Sequence, residues 1–153
     1  MSAETSQASV LDFIEQETLA VVGVSRNPRK FGNLAYRELK ARGYRVFPVN
    51  RNLDNIDGAP CYSNLQNLPE KVDGLVVVVP SKETEQVVQQ ADAAGIKRIW
   101  MQQGSESEAA IEFCHNHGIS EIHGECILMF AEPVKSYHKF HRGIVRLFGK
   151  LPH

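Results

Sequence analysis

Thr18-Leu19-Ala20-Val21-Val22-Gly23-Val24-Ser25-Arg26-Asn27-Pro28-Arg29-Lys30-Phe31-Gly32-Asn33 is the stretch whose reading decides the fold. An apolar run enters a glycine, leaves through a polar, basic loop and becomes a helical pattern. That order reads as a buried parallel strand, a tight turn and a helix. Exposed N–H groups at a helix start, together with the helix dipole, favour an anion such as phosphate.

Working outward, the same unit repeats. Ser9 is placed to cap a short leading helix, with Val10, Phe13 and Ile14 on one face. Leu19 to Val24 reads as the first strand, apolar on both faces as a helix-covered strand is. Gly32 to Arg42 reads as a helix with Leu34, Leu39 and Tyr36 inward, and Gly43 ends it. Arg45 to Asn50 reads as the second strand, with pairing expected to stop at Pro48. Arg51 to Pro69 is rich in Asn, Asp, Gly and Pro and reads as loop, with a very short strand near Cys61-Tyr62 and a helical turn near Leu65 to Leu68.

Gly74-Leu75-Val76-Val77-Val78-Val79-Pro80 is the strongest strand signal and marks the sheet centre. Ser81 is placed to cap a helix over Lys82 to Ala94. Arg98 to Met101 is a further strand with Gln102-Gln103-Gly104 as its exit. Ser105-Glu106-Ser107-Glu108 has the form of a capping box opening a helix to Asn116, and Ile119 to Ile122 is a last strand. Alternating strands and helices predict an α/β class: a Rossmann-like, doubly wound, mostly parallel sheet of about five strands with helices on both faces. The first strand and Leu75–Val79 should be neighbours. Ligands in such sheets bind outside the carboxyl ends of the strands.

The bulk numbers agree with one soluble domain. Hydrophobic residues are 42% and charged residues 23% of the 153, and the formal net charge is -1. No global field draws such a chain to nucleic acid or membrane. No apolar run approaches the roughly 20 residues of a membrane helix, and the first residues lack signal-peptide character. The expectation is a cytoplasmic protein, residues 1–153 forming one domain with a mobile start over 1–8 and a basic amphipathic extension over 134–153. Cys61, Cys114 and Cys126 are far apart and in odd number, which argues against a disulfide framework or structural zinc.

A nicotinamide fingerprint needs a second glycine two residues after the first, where Ser25 stands. It also wants a carboxylate at the end of strand two, where Asn50 stands. Arg51 keeps a 2′-phosphate binder, and hence NADP, open. Arg26, Arg29 and Lys30 beside Ser25 suit a ligand with several phosphates. The alternative for these cations is a solvated basic loop.

The motifs Val22-Gly23-Val24-Ser25-Arg26-Asn27-Pro28, Lys30-Phe31-Gly32, Phe47-Pro48-Val49-Asn50, Val79-Pro80, Gln102-Gln103-Gly104 and Gly124-Glu125-Cys126-Ile127-Leu128-Met129 recur in order at the strand ends. With them the chain, over about residues 12 to 133, resembles the stand-alone CoA-binding domain proteins, which are similar to the N-terminal CoA-binding domain of the succinyl-CoA synthetase α subunit. The resemblance implies coenzyme A or acyl-CoA as ligand. Gly23, Val24 and Ser25 would lie at its phosphates, and Arg26 or Lys30 would supply charge. Asn50 and Arg51 would lie near the nucleotide end, Val79, Pro80 and Ser81 would form a wall, and Gln102, Gln103 and Gly104 would lie further along the crevice. Cys126 has two readings there: a thiol near the pantetheine end, open to a mixed disulfide, or a packed thiol beside Ile127 and Met129. Glu125 places an anion where the family carries neutral residues. The chain is too short for the synthetase's phosphorylated histidine domain, so its chemistry is not carried over.

For catalysis, His123 and Glu125 are the best acid–base pair, while His115 and His117 suit a helix C-terminus structurally. From Lys135 to Lys150 five cations occur without an acid, and Tyr137, Phe140, Ile144, Leu147 and Phe148 recur at helical spacing. That pattern is expected to pack on its own domain, on a second copy or on a protein partner. His138 and His141 offer too few ligands for zinc. The leading expectation is a CoA binder with a regulatory or carrier role, followed by an NADP-dependent oxidoreductase and by an interaction module with a decayed nucleotide site.

Overall fold

The computed structural model describes residues 6–131, so the expectations for the C-terminal extension, including Tyr137 and the His138–His141 pair, lie outside the described residues. In chain order the elements are α1 (Gln7–Ile14), β1 (Thr18–Val22), α2 (Phe31–Ala41), β2 (Arg45–Val49), β3 (Asn55–Ile56), β4 (Ala59–Pro60), β5 (Gly74–Val77), α3 (Ser81–Ala93), β6 (Arg98–Met101), α4 (Glu108–Asn116) and β7 (Ser120–Ile122). Short 3-10 turns occupy Leu65–Asn67 and Ile127–Met129. Five strands pair in parallel in the order β2-β1-β5-β6-β7, while β3 and β4 form a separate antiparallel hairpin. The predicted α/β class, the neighbours β1 and β5, and the central place of the Val-rich strand all hold.

Alternate residues of each strand feed two cores. Val21, Val76, Trp100 and Ile122 pack with Phe13 of α1 and with Tyr36 and Leu39 of α2. Ala20, Leu75, Val77, Ile99 and Met101 pack with Val88 and Ala91 of α3 and with Cys114 of α4. Strand pleating sends neighbours to opposite faces, and a run apolar on both is what a sheet covered twice requires. Trp100 is fully buried, edge-on to Phe13 at 5.4 Å, and its indole N–H donates to the Glu125 carbonyl at 3.0 Å. Burying such a ring contributes about 3 kcal/mol.

Several local expectations change. The cap of α1 is Ser6, whose hydroxyl accepts from the Ser9 N–H at 3.0 Å, so Ser9 lies inside the first turn. Ser81 is the first helical residue of α3; Pro80 precedes it with no side-chain cap. Ser107, not Ser105, caps α4, accepting from the Ala110 N–H at 3.1 Å. Ser105 is buried instead, and its carbonyl accepts from the buried Thr84 hydroxyl. Pairing of β2 continues through Pro48 to Val49, which an edge strand tolerates because one side needs no donor. Leu34 is exposed: the inward stripe of α2 is Gly32, Asn33, Ala35, Tyr36 and Leu39.

The chain leaves β1 to one side for β2 and then crosses to β5 on the other. Adjacent crossovers in opposite directions open a crevice at the carboxyl ends of β1 and β5.

Candidate functional site

The crevice begins at Gly23, with φ +123, a region that L side chains rarely adopt. A Cβ there would overlap the carbonyl of Val78 on the strand end opposite, and one on Gly32 would overlap the carbonyl of Gly23. Three backbone segments therefore meet with no room for a side chain. Gly32 thus performs the close helix–strand packing of the third glycine in a dinucleotide fingerprint, although its spacing differs.

Between these glycines the loop is braced by two asparagines. Asn33 is buried; its Oδ1 accepts from the Ser25 N–H at 2.7 Å and its Nδ2 donates to the Ser25 carbonyl at 2.8 Å. Asn50 donates from Nδ2 to the Val24 carbonyl at 2.7 Å and accepts at Oδ1 from the Asn52 N–H at 2.7 Å. The Ser25 hydroxyl accepts from the Asn27 N–H at 3.0 Å, and Asn27 Oδ1 accepts from the Arg29 N–H at 3.0 Å. Arg26, Arg29 and Lys30 are exposed on this loop, with the Arg26 guanidinium donating to the Asn52 carbonyl at 3.3 Å.

A cavity of about 420 Å³ opens beside the turn. It brings together four of the predicted residues, Gly23, Asn50, Arg51 and Val79. Val24, Ser25, Arg26, Lys30, Pro80 and Ser81 stand outside its lining, on the loop to α2 and at the start of α3. Gln102, Gln103, Gly104 and Cys126 lie further along the same edge, beyond β6 and β7. The sequence reading missed the brace Asn33 and, on the cavity wall, Ser63 and Asn64 of the loop, Leu65 of the 3-10 turn, and Glu83, Gln86, Val87 and Gln90 of α3. The last four recur at helical spacing, a signal for a single face of α3 turned to the cavity.

The far end of the edge is organised differently. Gln102 is 6% exposed, and its Oε1 accepts from the Ile127 N–H at 3.0 Å. Glu121 is buried between two imidazoles: His115 Nε2 at 3.2 Å and His123 Nδ1 at 2.7 Å. His123 thus has in Glu121 a partner that the sequence reading did not name. The strand ends at Ile122, and Gly124, at φ +79, turns the chain before Glu125. His117 ends α4 as expected, its Nδ1 2.9 Å from the Phe113 carbonyl and its ring stacked on Phe113 at 3.8 Å. Burial pushes the Cys61 thiol up, and burial followed by the charges of Glu121 and Asp92 pushes Cys114 up to about 12. Cys126 alone of the three thiols is partly exposed.

A family model described as a CoA binding domain matches residues 17–132. The chain belongs to this family of CoA-binding domains. Among curated relatives, the α subunit of ADP-forming acetate–CoA ligase II of Pyrococcus furiosus is 27% identical over 126 residues, covering 75% of this chain and 28% of that one. The uncharacterized protein YneT of Bacillus subtilis is 25% identical over 123 residues, covering 80% of this chain and 91% of that one. The chain thus spans under a third of the first relative and nearly the whole of the second. Among solved structures, a conserved hypothetical protein from Pyrococcus furiosus superposes with a TM-score of 0.71 at 42% identity, covering 74% of this chain and 97% of that one. An acetyl-coenzyme A synthetase of Ca. Korarchaeum cryptofilum, solved with phosphate and ADP, gives a TM-score of 0.62 at 30% identity, covering 69% and 25%. No helix among the described residues is long and apolar enough to cross a membrane.

Proposed function

We propose that this CoA-binding domain holds coenzyme A or an acyl-CoA along the carboxyl edge of its sheet, as a cytoplasmic binder with a regulatory or carrier role rather than as a catalyst. The observation that carries the reading is the cavity at the β1–β5 switch point, opening beside the tight Gly23 turn in a chain of this family. The nucleotide end would occupy that cavity, with Asn50, Arg51 and Val79 on its walls. The phosphates would lie over Gly23, Val24 and Ser25, within reach of Arg26 and Lys30. Pro80 and Ser81 would flank the path toward Gln102, Gln103, Gly104 and Cys126. Residues 1–153 would act as one domain, with the extension over 134–153 docking a protein partner or a second copy.

Arg51 on the cavity wall favours one second reading, a 2′-phosphate and hence NADP. Calorimetry of the full chain with CoA, acetyl-CoA, NAD and NADP separates the two. The expected result is binding of CoA and acetyl-CoA; NADP binding without CoA binding overturns the proposal. Reversing Lys30 to Glu should weaken CoA about tenfold, the scale of one lost charge-assisted contact. Unchanged affinity would remove Lys30 from the phosphate site.

A further inference from the structure

Cys126 is held in place from both sides by a single strand and its exit. On one side the Trp100 indole N–H of β6 donates to the Glu125 carbonyl at 3.0 Å. On the other, Oε1 of Gln102, the residue that follows β6, accepts from the Ile127 N–H at 3.0 Å. The backbone of Cys126 is extended, at φ -93 and ψ 122, just before the 3-10 turn Ile127–Met129. Its thiol is partly exposed on the carboxyl edge of the sheet, the edge that carries the Gly23 crevice.

A second feature points to a ligand at this place. Gln102 is almost wholly buried, yet only its oxygen is used; Nε2 donates to no group among the described residues. A buried amide donor without an acceptor costs about 1–3 kcal/mol. The amide spans the short distance to Ile127, so its open donor lies beside the Cys126–Ile127 segment. A ligand carbonyl arriving next to the thiol would satisfy it. Pantetheine carries two amide carbonyls on the arm that ends in its own thiol.

We infer that Cys126 is a site of reversible thiol–disulfide exchange with the disulfide form of coenzyme A, Gln102 receiving an amide carbonyl of the pantetheine arm. The inference rests on the CoA-binding reading and goes beyond it in assigning a covalent step. The Cys126 thiolate attacks one sulfur of CoA disulfide. The S–S bond of the disulfide breaks, a new S–S bond forms between Cys126 and one CoA, and the second CoA leaves as thiolate and takes up the proton. No external oxidant is needed, because the incoming disulfide is the oxidant and its departing half is reduced. Cys61 and Cys114 do not compete: both are buried, and the thiol form of each is unreactive.

The test uses the reduced full-length chain, incubated with CoA disulfide and read by intact mass and peptide mapping. The expected product gains one CoA less two hydrogens, on Cys126, and dithiothreitol removes it. Cys126→Ser should form no adduct. Cystamine, a disulfide with neither nucleotide nor pantetheine amides, should react at least about tenfold more slowly, since positioning then contributes nothing. Gln102→Glu, which keeps an acceptor for the Ile127 N–H but removes the Nε2 donor, should lower the CoA disulfide rate more than the cystamine rate. An adduct on Cys61 or Cys114, or equal rates for the two disulfides, overturns the inference. Calorimetric CoA binding without any adduct also overturns it and leaves the binding reading standing. Absence of both binding and adduct overturns the two together.

Discussion

At the β1–β2 end of the sheet the polar groups that shape the edge are neutral amides, Asn33 and Asn50, each bonded to the loop backbone. At the β7 end they are a buried carboxylate, Glu121, and the imidazoles of His115 and His123. Both ends solve one problem, which is that polar groups near a packed edge need partners. An amide meets the need by offering donor and acceptor at once to the loop backbone, Asn33 to Ser25 alone and Asn50 to Val24 and Asn52, and it does not titrate. A carboxylate only accepts, so it requires N–H donors brought from elsewhere: His115 from α4 and His123 from the exit of β7. The first arrangement leaves Arg26, Arg29 and Lys30 exposed on the loop beside the crevice. The second ties α4 to the edge strand.

The sharpest way to break this contrast is at the glycine turn. Gly23→Ala should cost about 3 kcal/mol or more in urea unfolding, through positive φ and overlap with Val78, and should abolish CoA binding. A stable variant with unchanged affinity would mean that the close approach does not shape the site. Next comes the carboxylate. Glu121→Ala removes the carboxylate that both rings meet and should cost about 2 kcal/mol while CoA affinity stays within about twofold. A large loss of affinity would show that the β7 end serves the ligand as well as the fold.

Cys114, behind the same end, gives a pH-dependent test. Burial, followed by the charges of Glu121 and Asp92, pushes its thiol up to about 12 from the ordinary 9.0. The folded chain therefore holds the proton where the unfolded chain has lost it. Stability is full below about pH 9 and falls as pH rises through the window between the two values, by about 1.4 kcal/mol per unit. Cys114→Ala should flatten that part of the alkaline unfolding curve, and an unchanged slope would assign it elsewhere. Smallest in stability is Asn33→Ala, at about 1 kcal/mol, because one amide brace is lost. Its CoA affinity should nonetheless fall about tenfold as the Ser25 loop loses its fixed geometry. Equal effects on binding from Asn33→Ala and Glu121→Ala would erase the distinction between the two ends.

Much of the fold was legible because burial on two faces leaves a strong trace. The runs Leu19–Val22 and Leu75–Val77 carry no polar residue, and glycines or turn residues bound them. The candidate site was legible where chemistry sits at a strand's end, as with Gly23, Asn50, Arg51 and Val79. It was not legible where side-chain direction decides. Leu34 looked inward by composition, but the contact of Gly32 with the Gly23 carbonyl sets the rotation of α2 and turns Leu34 to solvent. His123 looked like the partner of Glu125 by spacing. The strand ends before Glu125, so the ring meets Glu121 on its own face of β7.

The sequence by itself determined the class of fold, the place of the crevice and the chemistry of its loop, because these follow from local pattern and from which residues stand at strand ends. Only the tertiary structure decided that Asn33 braces Ser25, that α3 walls the cavity, and that Gln102 holds Ile127 beside Cys126 with one donor unused. Those pairings join residues from different elements, and their distances are set by how the helices seat on the sheet, which no local window of residues encodes.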